Sequence, residues 1–306
     1  MGKIESVTNE TELGIRSSRP SRRIQRNRDN CVPRDQYTAV FAPAVKDGHI
    51  VTVLKARLLR SRRLARKVLL AAATLLLLTI AAVVVLAVAI ATLFRAGRFY
   101  AEVMAKWFSR AVLWMWGVRL AVHQDQPFPE TQTVYMSNHS STLDMFVMVA
   151  LGLPNTRFVG AEDLGGFLRW MAPLGIISYV MGTLWAPPWS KPADRARWFQ
   201  RTEYLLRRTR GSVYLSPEGE RVTTGRLGPF NQDNFQLAAN LGAPIVPFYI
   251  DIPREIDPGR GFDTLPGTVH VYAQPAISTH GWTLDNLASN TEMVRDIFLI
   301  RGELRA

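Results

Sequence analysis

Between two apolar runs in the middle of the chain lies NHSSTLD, in which His139 and Asp144 are separated by four residues. Imidazole changes charge closest to neutral pH, and a carboxylate beside it fixes its tautomer and stabilises its cation, so the pair suits general-base chemistry. On a continuous helix a five-residue offset separates the two side chains by about 140°, too far to touch. If His139 lies in a loop ahead of a helix beginning at Ser140 or Ser141, Asp144 falls in the first turn and the loop folds the imidazole back over it. The same residues admit a structural use. Ser141 to Asp144 reads S-x-x-D ahead of an apolar run, a capping-box pattern in which the carboxylate satisfies backbone donors at the positive end of the helix dipole. The two uses are compatible, because a capped helix start is a rigid mount for a base.

A second polar island, SPEGER (216 to 221), follows the strand-like VYL at 213 to 215. Loops beyond strand ends are where α/β folds place their sites, although Pro, Gly and opposite charges together also describe an exposed turn. A third marker is LGAPIVPFYI (241 to 250), an apolar strand carrying two prolines. Pro247 cannot donate to a sheet ladder, which predicts an edge strand or an irregularity at that point.

The elements that must position these islands follow from patterning. Short β-rich runs fall at Val118 to His123, Thr133 to Met136, Val213 to Leu215, Ile245 to Ile250 and Thr268 to Tyr272, with helical patterns between them at Asp194 to Thr209 and Asn234 to Leu241. Alternation of this kind predicts an α/β fold with a mostly parallel central sheet covered by helices. Ahead of it, Val68 to Phe94 runs 27 residues without a charge, more than the roughly 20 needed to cross a bilayer. This predicts an N-terminal membrane-anchoring helical segment, as a single crossing or a re-entrant helix. Seven basic residues in Lys55 to Lys67 place the preceding side in the cytoplasm, but Arg95, Arg98, Lys106 and Arg110 weaken the asymmetry. Residues 99 to 118, rich in Trp, Phe and Met with scattered cations, read equally as an interfacial helix or a core-facing one.

The formal net charge of +12 belongs mostly to one end: residues 1 to 67 hold 16 Lys and Arg against 6 Asp and Glu, leaving +2 for the other 239 of the 306 residues. Residues 1 to 54 therefore read as a disordered basic arm, 55 to 118 as the basic stretch and membrane helices, and 119 to 306 as the catalytic domain. A near-neutral body disfavours nucleic acid as a partner. The single cysteine, Cys31, excludes an intrachain disulfide and a cysteine metal site.

H-x4-D, then P-E-G-x-R about 75 residues on, then a P-I-V-P strand, in this order and beside an anchor, resemble the glycerolipid acyltransferase family of 1-acylglycerol-3-phosphate acyltransferase type. The resemblance implies that His139 is the general base toward an acceptor hydroxyl and that Asp144 orients it. It implies that Pro217, Glu218, Gly219 and Arg221 hold the acceptor, and that Pro244 and Pro247 are structural. It further implies an acyl-CoA or acyl carrier protein as co-substrate with no cofactor or metal, and direct transfer without an acyl-enzyme. The expected partners are membrane lipids, a lysolipid acceptor and that acyl donor. The expected location is a bacterial inner membrane, with the catalytic domain on the cytoplasmic face.

Three departures bear on the acceptor. Where the family carries G-x-x-F-[IV]-D-R, this chain has Gly182 to Pro188 with Pro187 and Pro188 in place of the acidic and basic pair; Asp194 and Arg195 follow and could substitute only across a longer loop. V-A-K-K-E-L reads V-G-A-E-D-L at 159 to 164, and F-K-K-G-A-F reads F-N-Q-D-N-F at 230 to 235. Phosphate monoesters are held by Arg, Lys or helix N-termini, so the loss of these cations leaves the acceptor headgroup open. The leading expectation is a membrane-bound acyltransferase of phospholipid biosynthesis or remodelling. The alternatives are a membrane-tethered binding protein using the basic arm, or a lipid hydrolase in which the same His/Asp pair activates water.

Overall fold

A computed structural model describes residues 47–163, 166, 172–219, 221–222, 227–257 and 264–303. The chain divides at residue 56, and the account below concerns chiefly the unit from Arg57 onward. The predicted basic arm lies outside the described residues up to position 46.

Helix α1 (Asp47–Ala91) contains the apolar run, and its residues 64 to 91 are long and apolar enough to cross a membrane. It is not a free rod. Leu78, Ala81, Ala82, Val85 and Ala89 form a buried stripe at spacings of three and four, the period of one helix face. Val85 and Ala89 pack on Tyr100, Met104 and Val180, and Trp116 Nε1 donates to Thr74 Oγ1 at 2.8 Å. The other face leaves Val68, Leu69, Leu76, Ile80, Val83 and Ile90 exposed. A π-helical stretch (Tyr100–Ala105) leads into α2 (Lys106–Met115). The core-facing reading holds for one face, where Ser109, Val112 and Leu113 are buried, while Trp107 and Trp114 stand exposed on the other, Trp114 at 82%.

The sheet that follows has seven strands in the order β1-β7-β6-β2-β5-β3-β4. These are β1 (Val118–His123), β2 (Val134–Ser137), β3 (Thr156–Ala161), β4 (Leu184–Ala186), β5 (Ser212–Leu215), β6 (Ile245–Asp251) and β7 (Gly267–Ala273). Every neighbouring pair is parallel except β6 with β7. The mostly parallel α/β fold thus appears as expected. Alternate residues of the central strands feed two cores. On one face, Tyr135, Tyr214 and Phe248 pack with α2 and with α3 (Asp144–Leu151). On the other, Val134, Met136, Val213 and Ile245 pack with α5 (Pro192–Thr209), α6 (Gln232–Leu241) and α7 (Leu287–Glu303). A further helix, α4 (Ala172–Val180), brings Val180 to the α1 stripe.

Pro247 lies inside the sheet, not at its edge, because β6 pairs with both β2 and β7. The irregularity arm of the expectation holds. The ladder with β7 starts only at Phe248, and beyond it the Ile245 bridge to Ile277 is out of step with the Phe248 to Ala273 register. Pro247 O still accepts from Gln274 N at 2.9 Å, so the missing proline N–H leaves that pair with one bond at the end of the ladder.

Candidate active site

Strands β2 and β5 are parallel neighbours with Met136 beside Leu215, so the loops leaving their carboxyl ends emerge side by side. This brings NHSSTLD against SPEGER despite a separation of about 80 residues. His139 is gripped from the second loop on both sides of its backbone: its N–H donates to Glu218 Oε2 at 2.9 Å, and its carbonyl accepts from Val222 N at 2.8 Å. The preceding Asn138 ties the first loop to β6, its side chain donating to Ile250 O at 2.8 Å and accepting from Ile250 N at 2.7 Å.

Helix α3 begins at Asp144, not at Ser140 or Ser141, with residues 142 and 143 forming the turn before it. The capping pattern is nevertheless present: Ser141 Oγ accepts from Leu143 N at 2.9 Å, and Asp144 Oδ2 accepts from Ser141 N at 2.9 Å and Ser140 N at 2.8 Å. The same oxygen lies 2.9 Å from His139 Nδ1. One carboxylate oxygen thus caps the helix and holds the imidazole. A carboxylate only accepts, so Nδ1 carries the hydrogen and Nε2 of the neutral ring keeps its lone pair. Asp144 is 1% exposed and the His139 side chain 33%, leaving the anion covered and the base within reach of a ligand. Ser141 Oγ in turn donates to Asp257, a buried carboxylate that no sequence signal marked.

Of the residues expected to hold an acceptor, Glu218 is turned inward. It is buried, and its two oxygens accept from His139 N and, at 2.7 Å, from Gly228 N. Burial raises its pKa, while these two hydrogen bonds and the nearby His139 pull it back down. Gly219 has φ +74°, and a Cβ there would lie 2.7 Å from the Trp189 ring, so glycine answers both the left-handed turn and the close indole. Pro217 contributes its carbonyl to Asn231 N at 2.8 Å. Arg221 Nη1 donates to Thr142 Oγ1 at 2.8 Å, which lays an exposed guanidinium over the His139 loop. Asn234, in the segment where the family carries F-K-K-G-A-F, ties the loop start by donating to Ser216 O at 3.1 Å.

The loop after β4 answers one of the departures. Arg195, in the first turn of α5, folds back so that Nη1 donates to Pro187 O at 2.8 Å and the guanidinium lies on the Trp189 ring. A cation therefore does return to the position of the missing pair, but buried between indole and backbone. Burial lowers its pKa to about 10, with Asp233 nearby opposing. Asp194 pairs with Arg197 at the surface instead.

The chain is similar to known proteins over the segment that holds this site. Residues 119–251 match the family model described as Acyltransferase. The chain is 25% identical over 205 residues to a 1-acyl-sn-glycerol-3-phosphate acyltransferase of Limnanthes alba, covering 67% of this chain and 69% of that one. It is 28% identical over 189 residues to the alpha enzyme of that name from Mus musculus, covering 61% and 64%. Its fold is shared with the crystal structure of the 1-acyl-sn-glycerophosphate (LPA) acyltransferase PlsC from Thermotoga maritima, at a TM-score of 0.56 and 19% identity over 76% of this chain and 96% of that one.

Proposed function

We propose that the protein, whose residues 119–251 match the Acyltransferase family model and which is similar to 1-acyl-sn-glycerol-3-phosphate acyltransferases, is an O-acyltransferase that moves a fatty acyl group from acyl-CoA or acyl carrier protein to the free hydroxyl of a lysolipid. The acceptor is 1-acylglycerol-3-phosphate or a related lysophospholipid, and the setting is phospholipid synthesis or remodelling at a membrane. The observation that carries this reading is the Nδ1 bond of His139 to Asp144, which leaves Nε2 as the proton acceptor on a ring whose backbone is clamped by the second loop.

In the reaction, Nε2 takes the proton of the acceptor hydroxyl as its oxygen attacks the thioester carbonyl. The imidazolium is stabilised by Asp144, which accepts from Nδ1 throughout. That attack forms the ester C–O bond, and collapse of the tetrahedral intermediate restores the carbonyl and breaks the C–S bond. The leaving thiolate then recovers the proton from Nε2. Arg221, exposed over the His139 loop, is placed to meet an anionic headgroup. Pro217 and Gly219 shape the turn that presents it.

The apolar length of α1 supports membrane attachment. Its packed stretch from Thr74 to Ala89 spans about 22 Å at 1.5 Å per residue, so whatever depth α1 reaches, the π-helical stretch, α2 and α4 accompany it. We place the helix in one leaflet, with exposed Trp107 and Trp114 at the headgroup level where such rings settle.

The test is acyl transfer by the purified protein in lipid vesicles. Labelled acyl-CoA and acyl carrier protein are each supplied with a panel of lysolipids, and His139→Ala is compared with wild type. A folded wild type that acylates no acceptor, or an unimpaired His139→Ala, overturns the reading.

A further inference from the structure

Helix α5 carries a charge that the rest of the body lacks. From Lys191 to Arg210 there are seven cations and two carboxylates, a net of +5, whereas residues 68 to 306 as a whole carry +2, so the remainder of the body stands at −3. Six of the seven cations are exposed, Arg195 alone being buried. Asp194 and Glu203 pair with Arg197 and Arg207, and Lys191, Arg201, Arg208 and Arg210 form no ion pair among the described residues. Arg197, Arg201, Tyr204 and Arg208 follow at spacings of four, three and four. They make one continuous stripe along the outer face of the helix, with Tyr204 66% exposed at its centre.

The position of this stripe selects its partner. Leu206 of α5 packs into the core on one face of the sheet, with α6 and α7, while α2, α3 and the apolar α1 lie on the other. With α1 in lipid, the stripe looks away from the membrane, which disfavours lipid headgroups as its ligand. From Arg197 to Arg208 it covers about 16 Å of a convex helix surface, at 1.5 Å per residue, and not a pocket. That shape fits the surface of a protein better than the phosphates of a nucleotide. The first turn of α5 also borders the site, through Arg195 on Trp189 and Trp189 on Gly219.

Resting on the acyl-transfer reading above, we infer that the Arg197, Arg201, Tyr204 and Arg208 stripe is the docking surface for an acidic acyl carrier protein that delivers the thioester. Complementary charge steers the encounter, and the exposed tyrosine supplies the apolar anchor of the interface.

The experiment compares Arg201→Glu/Arg208→Glu with wild type in vesicles, using one long-chain acyl group on acyl carrier protein and on CoA. The variant is expected to raise KM for the carrier-bound donor at least tenfold, with kcat and the KM for acyl-CoA within twofold of wild type. Added salt should raise the wild-type carrier KM and barely move that of the variant. The inference is overturned if wild type uses only acyl-CoA or if the variant leaves the carrier KM unchanged. It is equally overturned if both donors weaken alike, which marks a phosphate site, or if binding to anionic vesicles falls, which marks a lipid site. Activity with acyl-CoA alone sinks this inference and leaves the acyltransferase reading standing; transfer from neither donor sinks both.

Discussion

Replacing Asp144 by Asn separates the two duties of one oxygen atom. Oδ2 receives three donors, His139 Nδ1, Ser140 N and Ser141 N, at 2.9, 2.8 and 2.9 Å. An amide NH2 cannot stand there, so Asn must present its carbonyl oxygen to that position and its nitrogen to that of Oδ1, which is buried without a partner. The tautomer of His139 and the helix cap therefore survive, at a stability cost of about 1–3 kcal/mol for the orphaned amide hydrogens. What disappears is the negative charge. It matters most when the ring becomes an imidazolium, so the loss falls on kcat and not on KM. Hydrogen bonds to charged groups contribute about 1.5–3 kcal/mol, which predicts a roughly 10- to 200-fold fall in kcat. Initial rates with labelled acyl donor, alongside thermal melts monitored by circular dichroism, measure both quantities. A lowered Tm with kcat within twofold of wild type would refute the reasoning, because Asp144 would then be a cap and nothing more.

Four further outcomes are expected. Glu218→Gln leaves one of two backbone N–H groups without its acceptor, so kcat falls about tenfold while acceptor KM holds; a KM effect alone would return Glu218 to substrate binding. Since burial raises the pKa of Glu218 above the usual 4.5, the folded state holds this proton more tightly than the unfolded chain. Its contribution is complete below the ordinary value and lost as pH rises through the raised one, so the Tm of wild type relative to Glu218→Gln should decline from pH 4.5 toward pH 8. Gly219→Ala pays about 1–2 kcal/mol for the left-handed backbone and also displaces Trp189; in a Trp189→Ala background only the backbone cost should remain, read as a smaller drop in Tm. Trp114→Ala, at an exposed position, should weaken vesicle binding roughly tenfold by loss of buried aromatic area and leave Tm unchanged.

The sequence showed the strands that hold the site better than those beside it. Runs of Val, Ile, Tyr and Phe marked β2, β5, β6 and β7 to within a residue or two. Strand β3 was missed because Arg157 and Gly160 interrupt its apolar pattern; Arg157 reaches out to Gly182 O, and Gly160 makes room for the Trp185 ring. Strand β4 is three residues long and followed by two prolines, too short for any period to show. His139 and Asp144 were legible because their bond is local. The inward turn of Glu218 was not, since its partner is a backbone N–H brought near only by β2 and β5 lying side by side. The same holds for Asp257 and Arg195, whose contacts cross loops that no spacing rule connects.

The place of β2 in the sheet also sets the order in which the enzyme can come into being. Both neighbours of this strand, β5 and β6, come after it in the chain, from residues 212 and 245 onward. As the ribosome releases the protein, the apolar helix is complete long before the histidine loop has a neighbouring strand to lean on. Nearly three quarters of the polypeptide, 222 of 306 residues, must emerge before Glu218 and Val222 can take hold of His139. A nascent chain therefore completes its apolar helix first and becomes competent last, and a messenger truncated anywhere before β5 yields an inert product.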